Sequence, residues 1–170
     1  LIAKGPVHLI NWWVMIDDAF YSLKTAKNIA MGIGITCDGI HPTNAFQPLY
    51  VFLMVPVFYF IRDNLFTPVT IALVLTSIFN LSTGLIIYAI VKRFTGFLAA
   101  FFSLFIWSLS FSVIKFGLNG LETSIYVFFL CLSAYFYISR IQNENNYPLK
   151  DCIVLGLLLG LTLLARLDGI

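Results

Sequence analysis

Charged residues are scarce in this chain: only 11% of its 170 residues are Asp, Glu, Lys or Arg, whereas 60% are hydrophobic. Soluble domains contain about 25% charged and about 45–50% apolar residues. The stretches 64–91, 94–114 and 123–139 contain no charged residue at all. Apolar runs of about 17–25 residues match the hydrocarbon thickness of a bilayer, where a helix satisfies its own backbone groups. The composition therefore excludes an ordinary soluble fold and predicts membrane-spanning helices.

Cysteines and clusters of basic residues are also sparse, which argues against metal sites, disulfides and nucleic-acid binding. Cys37, Cys131 and Cys152 are odd in number and widely spaced, which excludes a CxxC metal site and argues against an internal disulfide. The net charge of +2 comes without a dense basic run, so we expect membrane lipid and no nucleic acid as a partner. The sequence shows no signal peptide, begins with Leu1 and ends at Ile170 directly after an apolar run. We therefore expect a piece of a longer protein.

The uncharged runs predict a single transmembrane domain over residues 1–170. The expected fold is all-α, a multi-pass transmembrane helical bundle with a long first outer loop, residues 1–65, that contains juxtamembrane helices. Apolar residues at helical spacing predict an amphipathic helix over 17–34 of this loop. The apolar segment 49–61, which contains Pro56, has a length typical of interfacial or re-entrant segments. The predicted spans are 66–91, 94–114, 122–139 and 150–165.

The sidedness of the chain depends on whether the segment 49–61 crosses the membrane. If it does not, Lys92, Arg93 and the basic loop 140–150 lie inside, as the positive-inside rule prefers. That topology also places six of the eight acidic residues on the outer face, whereas the crossing alternative divides them. These six are Asp17, Asp18, Asp38, Asp63, Glu122 and Asp168. We therefore expect a protein of the plasma or inner membrane whose acidic groups face the extracytoplasmic side.

Two adjacent carboxylates, Asp17 and Asp18, directly follow an aromatic and apolar stretch that suits a membrane interface. Either could simply cap the helix that begins there, because the helix dipole favours a carboxylate at its N-terminus. Alternatively, one of them is a general base for an acceptor hydroxyl, or a ligand that orients the acceptor or a divalent metal. The pair is compatible with Mg²⁺ or Mn²⁺ and equally with metal-free chemistry, so no cofactor follows from the residues alone.

Three basic residues are candidates for binding a phosphate group. Lys24 and Lys27 lie one turn apart in the amphipathic helix, where they could equally snorkel toward lipid headgroups. Arg166 ends the last apolar run and could either pair with Asp168 or bind phosphate. Fixed cations beside a departing phosphate oxygen stabilise the charge that develops in the transition state. Glu122 stands in the first turn of a span, where compensation of the helix dipole explains it as well as a function does.

Four motifs occur in order along the chain, separated by predicted spans. They are DDAFYSLKTAKNIA from Asp17, DGIHPTNAFQPLY from Asp38, GLET from Gly120 and GLTLLARLDG from Gly160. Together they resemble motifs of the GT-C superfamily of glycosyltransferases, in particular the bacterial and archaeal relatives of protein O-mannosyltransferases and arabinosyltransferases. The resemblance implies an inverting transfer of a sugar from a polyprenyl-phosphate donor to a protein, lipid or glycan acceptor at the outer face. It assigns the catalytic role to Asp17, with Asp18 beside it.

The polar residues of these motifs are the candidate substrate-binding groups. They are Lys24, Lys27, His41, Thr43, Asn44, Gln47, Glu122, Arg166 and Asp168. His41 has an alternative role as a hydrogen-bonding residue of the loop, and it lacks partners at the spacing of a metal site. A transporter or lipid flippase is the alternative function, but it should place its ionisable residues near the bilayer midplane on broken helices. A membrane scaffold, the third alternative, has no need of the Asp pair.

Overall fold

The computed structural model describes residues 17–61, 64, 66–142 and 148–167, and Asp17 through its backbone only. Seven helices contain most of these residues: α1 (Asp17–Ala30), α2 (Pro48–Phe60), α3 (Phe66–Thr95), α4 (Phe97–Leu109), α5 (Phe111–Gly117), α6 (Thr123–Arg140) and α7 (Leu149–Ala165). Within the described ranges, the only β-type pairing is an isolated bridge between Thr36 and Pro42. The prediction of an all-α fold is confirmed.

Two of the helices, α3 and α6, are long and apolar enough to cross a membrane. A third candidate is the pair α4 and α5, which meet at an angle of 58°. The predicted span 94–114 is therefore broken at Ser110, whose extended backbone (φ −65°, ψ 118°) ends α4. Helix α7 has 17 residues, about 26 Å at 1.5 Å per residue against about 30 Å of hydrocarbon. Its crossing stays a prediction.

Helix α2 has only 13 residues, about 20 Å in length. Pro48 stands in its first turn, where the fixed φ of proline suits the helix and its missing N–H is not needed. The short length agrees with an interfacial or re-entrant segment, and the absence of a crossing by this segment stays a prediction. The preceding helix α1 begins at the predicted residue but ends at Ala30, before Gly32 and Gly34, which adopt positive φ angles.

The helices are arranged as a row with a pair packed against it. Helix α3 contacts both α4 and α6, α6 contacts α7, and the pair of α1 and α2 touches α7 and α3 through α2. The buried core lies where this pair meets the row. Its members are Ala19, Leu23 and Ala26 of α1, Tyr50, Val51, Met54 and Phe58 of α2, Val69, Ala72 and Leu73 of α3, Ile125 of α6 and Ala165 of α7.

Polar side chains within the apolar helices mostly hydrogen-bond to their own helix. The hydroxyl groups of Thr76, Thr83, Ser133 and Thr162 donate to carbonyl oxygens three or four residues earlier. This pattern satisfies a hydroxyl group without a partner from another helix. These residues can therefore lie in buried or lipid-facing positions at small cost.

The contact between α3 and α4 has one aromatic anchor. The indole N–H of Trp107 donates to the carbonyl of Asn80 at 3.2 Å. Its ring also covers Gly84, where an added Cβ would come within 2.8 Å of the indole. A residue without a side chain is needed at position 84 because the tryptophan occupies that space.

Candidate functional site

The turn between α5 and α6, residues 117–122, carries the predicted site residue Glu122. Asn119 is 2% exposed, and its Oδ1 accepts the N–H of Leu121 at 3.0 Å. The hydroxyl of Ser124 donates back to the carbonyl of Gly117 at 3.3 Å. Glu122 then occupies the N-cap position of α6 and is itself 7% exposed. The Glu122 carboxylate therefore extends from a turn whose shape is stabilised by hydrogen bonds of the Asn119 and Ser124 side chains.

Gly117 starts this turn in close contact with α3. A Cβ at position 117 would collide with the side-chain amide of Asn80. The Nδ2 of Asn80 also lies 3.4 Å from the carbonyl of Val113 in α5. Asn80 therefore links the middle of α3 to the element that leads into the turn.

Tyr50 of α2 connects to the same turn. It is fully buried, at 0% exposed, and its hydroxyl donates to the carbonyl of Gly120 at 2.8 Å. Burial, together with the negative charge of Glu122, raises the pKa of Tyr50 well above its usual value. The phenol therefore stays protonated and remains a donor. Tyr50 ends the motif DGIHPTNAFQPLY, but no role was predicted for it.

Gln47 joins the start of α2 to the end of α7. Its Oε1 accepts the N–H of Leu167 at 2.9 Å. Leu167 directly follows Arg166, which is half-buried at the C-cap of α7. The first turn of α2 thus contacts the segments that carry Glu122 and Arg166, which lie far apart in sequence.

The loop between α1 and α2, residues 31–47, is folded around Asp38. Its Oδ1 accepts the N–H groups of Ile40 and His41, each at 2.8 Å, and the Thr36 hydroxyl at 2.9 Å. Its Oδ2 lies 2.7 Å from Nδ1 of His41. The His41 side chain, followed by the backbone N–H groups and the Thr36 hydroxyl, holds the pKa of Asp38 well below its usual range.

His41 itself is 80% exposed while bonded to Asp38. This contact is the loop role that was expected as its alternative, and a role in substrate binding stays a prediction. The side-chain amide of Asn28 donates to the carbonyls of Thr36 and Cys37, at 2.8 and 3.2 Å. The loop is therefore attached to α1 next to the turn around Asp38.

The remaining predicted site residues lie on α1 or in this loop. Asp18 and Lys24 are exposed and Lys27 is half-buried on α1. Asn44 is exposed in the loop, where the Thr43 hydroxyl accepts the N–H of Ala45 at 3.2 Å. The side chains of Asp17 and Asp168 lie outside the described residues, so their assigned roles stay predictions.

The described side chains include no group of three or more His, Cys, Asp or Glu residues that could hold a metal ion. Asp18, one of the two predicted ligands, is exposed on the first turn of α1. A carboxylate pair alone does not supply the six or more oxygen ligands of Mg²⁺ or Mn²⁺, which water or substrate phosphate would have to complete. No cofactor was predicted from the residues, and Asp17 and Asp18 stay the candidate ligands for a divalent metal.

Comparison with models of protein families gives a match over residues 46–170 to the dolichyl-phosphate-mannose-protein mannosyltransferase family. The chain belongs to this family. It is therefore a membrane glycosyltransferase of the GT-C type, as the four motifs predicted. Comparisons with curated proteins and with solved structures gave no significant match.

The family match divides the predicted site residues into two sets. Gln47, Glu122, Arg166 and Asp168 lie within the matched range, as does Tyr50. The residues before it are Asp17, Asp18, Lys24, Lys27, His41, Thr43 and Asn44. Membership of the family thus rests on the part of the chain that begins just before α2, and the roles given to the Asp pair rest on the resemblance of their own motif.

Proposed function

We propose that this protein transfers a sugar from a polyprenyl-phosphate donor to an acceptor at the extracytoplasmic membrane face, with inversion at the anomeric carbon. The family to which it belongs is described by a dolichyl-phosphate-mannose donor, which supports a lipid-phosphate sugar here. The observation that carries the proposal is the meeting of three segments, since the first turn of α2 contacts both the turn before α6 and the end of α7. A lipid-linked substrate can reach such a site at a membrane boundary.

In the proposed reaction Asp17 takes the proton of an acceptor hydroxyl, with Asp18 as its neighbour. The acceptor oxygen then attacks the anomeric carbon, and the bond from that carbon to the phosphate oxygen breaks. The electron pair of that bond stays on the carrier phosphate. Attack opposite the departing phosphate in a single displacement gives inversion. The proton remains on the Asp carboxylate until it is released to water.

Cations and polar groups supply the rest of the proposed site. Lys24, Lys27 and Arg166 stabilise the charge on the departing phosphate, an electrostatic contribution that is larger in the transition state than in the ground state. The remaining substrate contacts come from His41, Thr43, Asn44, Glu122 and Asp168. The donor sugar and the acceptor, whether protein, lipid or glycan, would meet between the phosphate-binding cations and these polar residues.

The charges in the apolar helices favour this function over transport. In the described helices α3 to α7, charged residues occur only in terminal turns: Lys92, Arg93, Lys115, Arg140, Lys150 and Asp151. A transporter would place ionisable groups near the bilayer midplane on broken helices. A pocket lined by residues from both sides of the break at Ser110, Trp107 and Ser112 among them, has only uncharged side chains in its lining.

Replacement of the two carboxylates tests the proposal. The intact protein in lipid nanodiscs is supplied with a polyprenyl-phosphate mannose and an acceptor extract, and release of the carrier phosphate is measured. Asp17→Asn or Asp18→Asn should slow the release about 100-fold or more, because a positioned general base contributes about 10²–10⁴-fold.

Asp151→Asn is the matched control, because it makes the same change in the first turn of α7, at the end opposite Arg166. Its rate should equal that of the unmodified protein. A loss in only one of the two site variants would identify the working carboxylate. Unchanged release in both would refute the assignment.

A further inference from the structure

Two side chains in one helical turn of α2 bind the backbone of two distant segments. Tyr50 donates to the carbonyl of Gly120, 70 residues away in sequence. Gln47 accepts from the N–H of Leu167, 120 residues away. Gln47 is the N-cap of α2 and Tyr50 lies in its first turn, so both bonds are made at the N-terminal end of this helix. The side-chain bonds from Asn80 to Val113 and from Trp107 to Asn80 join residues only 33 and 27 positions apart.

The two backbone groups are ones that regular helices do not satisfy. Gly120 lies in the turn between α5 and α6, with a left-handed backbone (φ 78°). The last backbone hydrogen bonds of α7 run from the N–H of Arg166 to the carbonyls of Thr162 and Leu163. Leu167 is the next residue. Helix ends and turns leave such groups in need of partners. Gln47 and Tyr50 supply these partners, and each bonded group lies within two residues of a predicted site residue, Arg166 or Glu122.

We propose that Gln47 and Tyr50 are positioning residues, a clamp that sets the distance between Glu122 and Arg166. The inference rests on the proposed function, because it assigns the clamp a part in sugar transfer. Neither side chain of the clamp needs to touch the substrate. Each acts through a backbone group, and a small displacement of the two segments would separate the groups that hold donor and acceptor.

Because Tyr50 is buried, removal of its hydroxyl is a specific test of the hydrogen bond to Gly120. Tyr50→Phe removes one oxygen from a fully buried ring and keeps the shape of the ring. Gln47→Met keeps the length of the side chain and removes the amide acceptor. The matched controls are Tyr137→Phe, at an exposed position of α6, and Gln142→Met, at an exposed position just beyond that helix.

Two measurements on the intact protein in nanodiscs distinguish the effect of the clamp on the backbone from its effect on sugar transfer. Hydrogen–deuterium exchange reports on the backbone, and steady-state release of carrier from a polyprenyl-phosphate mannose gives kcat and KM. Tyr50→Phe should speed exchange in peptides that cover 117–124, and Gln47→Met in peptides that end at 167. Both should lower kcat about 10- to 100-fold, the scale of a displacement of about 1 Å, while KM for the donor changes little. Both controls should leave exchange and kcat unchanged.

The contrary outcomes are distinct. Unchanged exchange in these peptides would overturn the clamp, and so would faster exchange throughout the helices, because the residues would then only support general stability. Faster local exchange with an unchanged kcat would overturn the positioning role. If the unmodified protein releases no carrier, the proposed function fails and the role of the clamp in transfer fails with it, while exchange still decides whether the two bonds hold the segments.

Discussion

The turn before α6 and the loop after α1 both carry polar site residues, but they are held in opposite ways. The loop is organised by Asp38, whose partners Thr36, Ile40 and His41 lie two or three residues away. The turn is buried and is tied to α2 by Tyr50 across 70 residues. A loop with local bonds keeps its form when the bundle loosens, whereas the turn depends on the packing of the whole bundle. Mutations in the turn should therefore lower the stability of the whole bundle, whereas changes in the loop should affect mainly the loop itself.

Gly117→Ala should give the largest effect. The added methyl group collides with the side-chain amide of Asn80, which is also 3.4 Å from the carbonyl of Val113. Overpacking at such a site costs about 1–3 kcal/mol of stability. Thermal unfolding of the intact protein in nanodiscs measures the change.

Gly156→Ala provides the control for this prediction, because nothing lies within 4 Å of an added Cβ at that helical position. Alanine there should stabilise α7 by about 0.5–1 kcal/mol, since glycine is the poorer helix former. Equal losses in both variants would mean that the turn is no more tightly packed than the exposed side of α7 around Gly156.

Asn119→Ala should have an intermediate effect on the same turn. Asn119 is almost fully buried and accepts the N–H of Leu121 at 3.0 Å. Removal of the acceptor leaves the half-buried N–H of Leu121 without this bond, which costs about 0.5–1.5 kcal/mol, the net contribution of a typical hydrogen bond. Asn44→Ala, at an exposed position of the loop, should change the unfolding temperature little. A similar shift in both variants would remove the distinction between the two regions.

The smallest effect concerns pH and the loop. The folded-state pKa of Asp38 lies below its ordinary value of 3.8. Its contribution to stability is therefore complete above that value and is lost only as the pH falls through the lower folded-state value. The amides of Ile40 and His41 should stay protected from exchange at pH 3.5, near the ordinary carboxyl pKa. Loss of protection between pH 5 and pH 4 would show that the local bonds do not hold the carboxylate.

The contrast between the two regions also explains what could be predicted from the sequence. Uncharged runs predicted α3 and α6 to within a few residues, because lipid requires such runs to be helical. The turn chemistry around Asp38 was predicted from neighbouring residues for the same reason that it is stable, since its bonds are local. The break at Ser110 was missed because neither proline nor glycine marks it within the apolar run.

The role of Tyr50 could not be predicted, because its partner Gly120 is brought near only by the packing of α2 on the bundle. The available signal was weak: a tyrosine one turn after Gln47 in a short apolar helix. Gln47 was predicted as a substrate-binding residue, and its bond to Leu167 adds a structural role that sequence spacing cannot reveal.

The packing of Trp107 over Gly84 has a consequence for the register of α4 along α3. The indole bonds to the carbonyl of Asn80 and covers the position one turn further along α3. A slip of α4 by one turn would bring the ring against Asn80 or Tyr88, where side chains fill the space. The contact therefore favours the one register in which Trp107 lies over Gly84, so any axial shift of α3 has to be shared by α4.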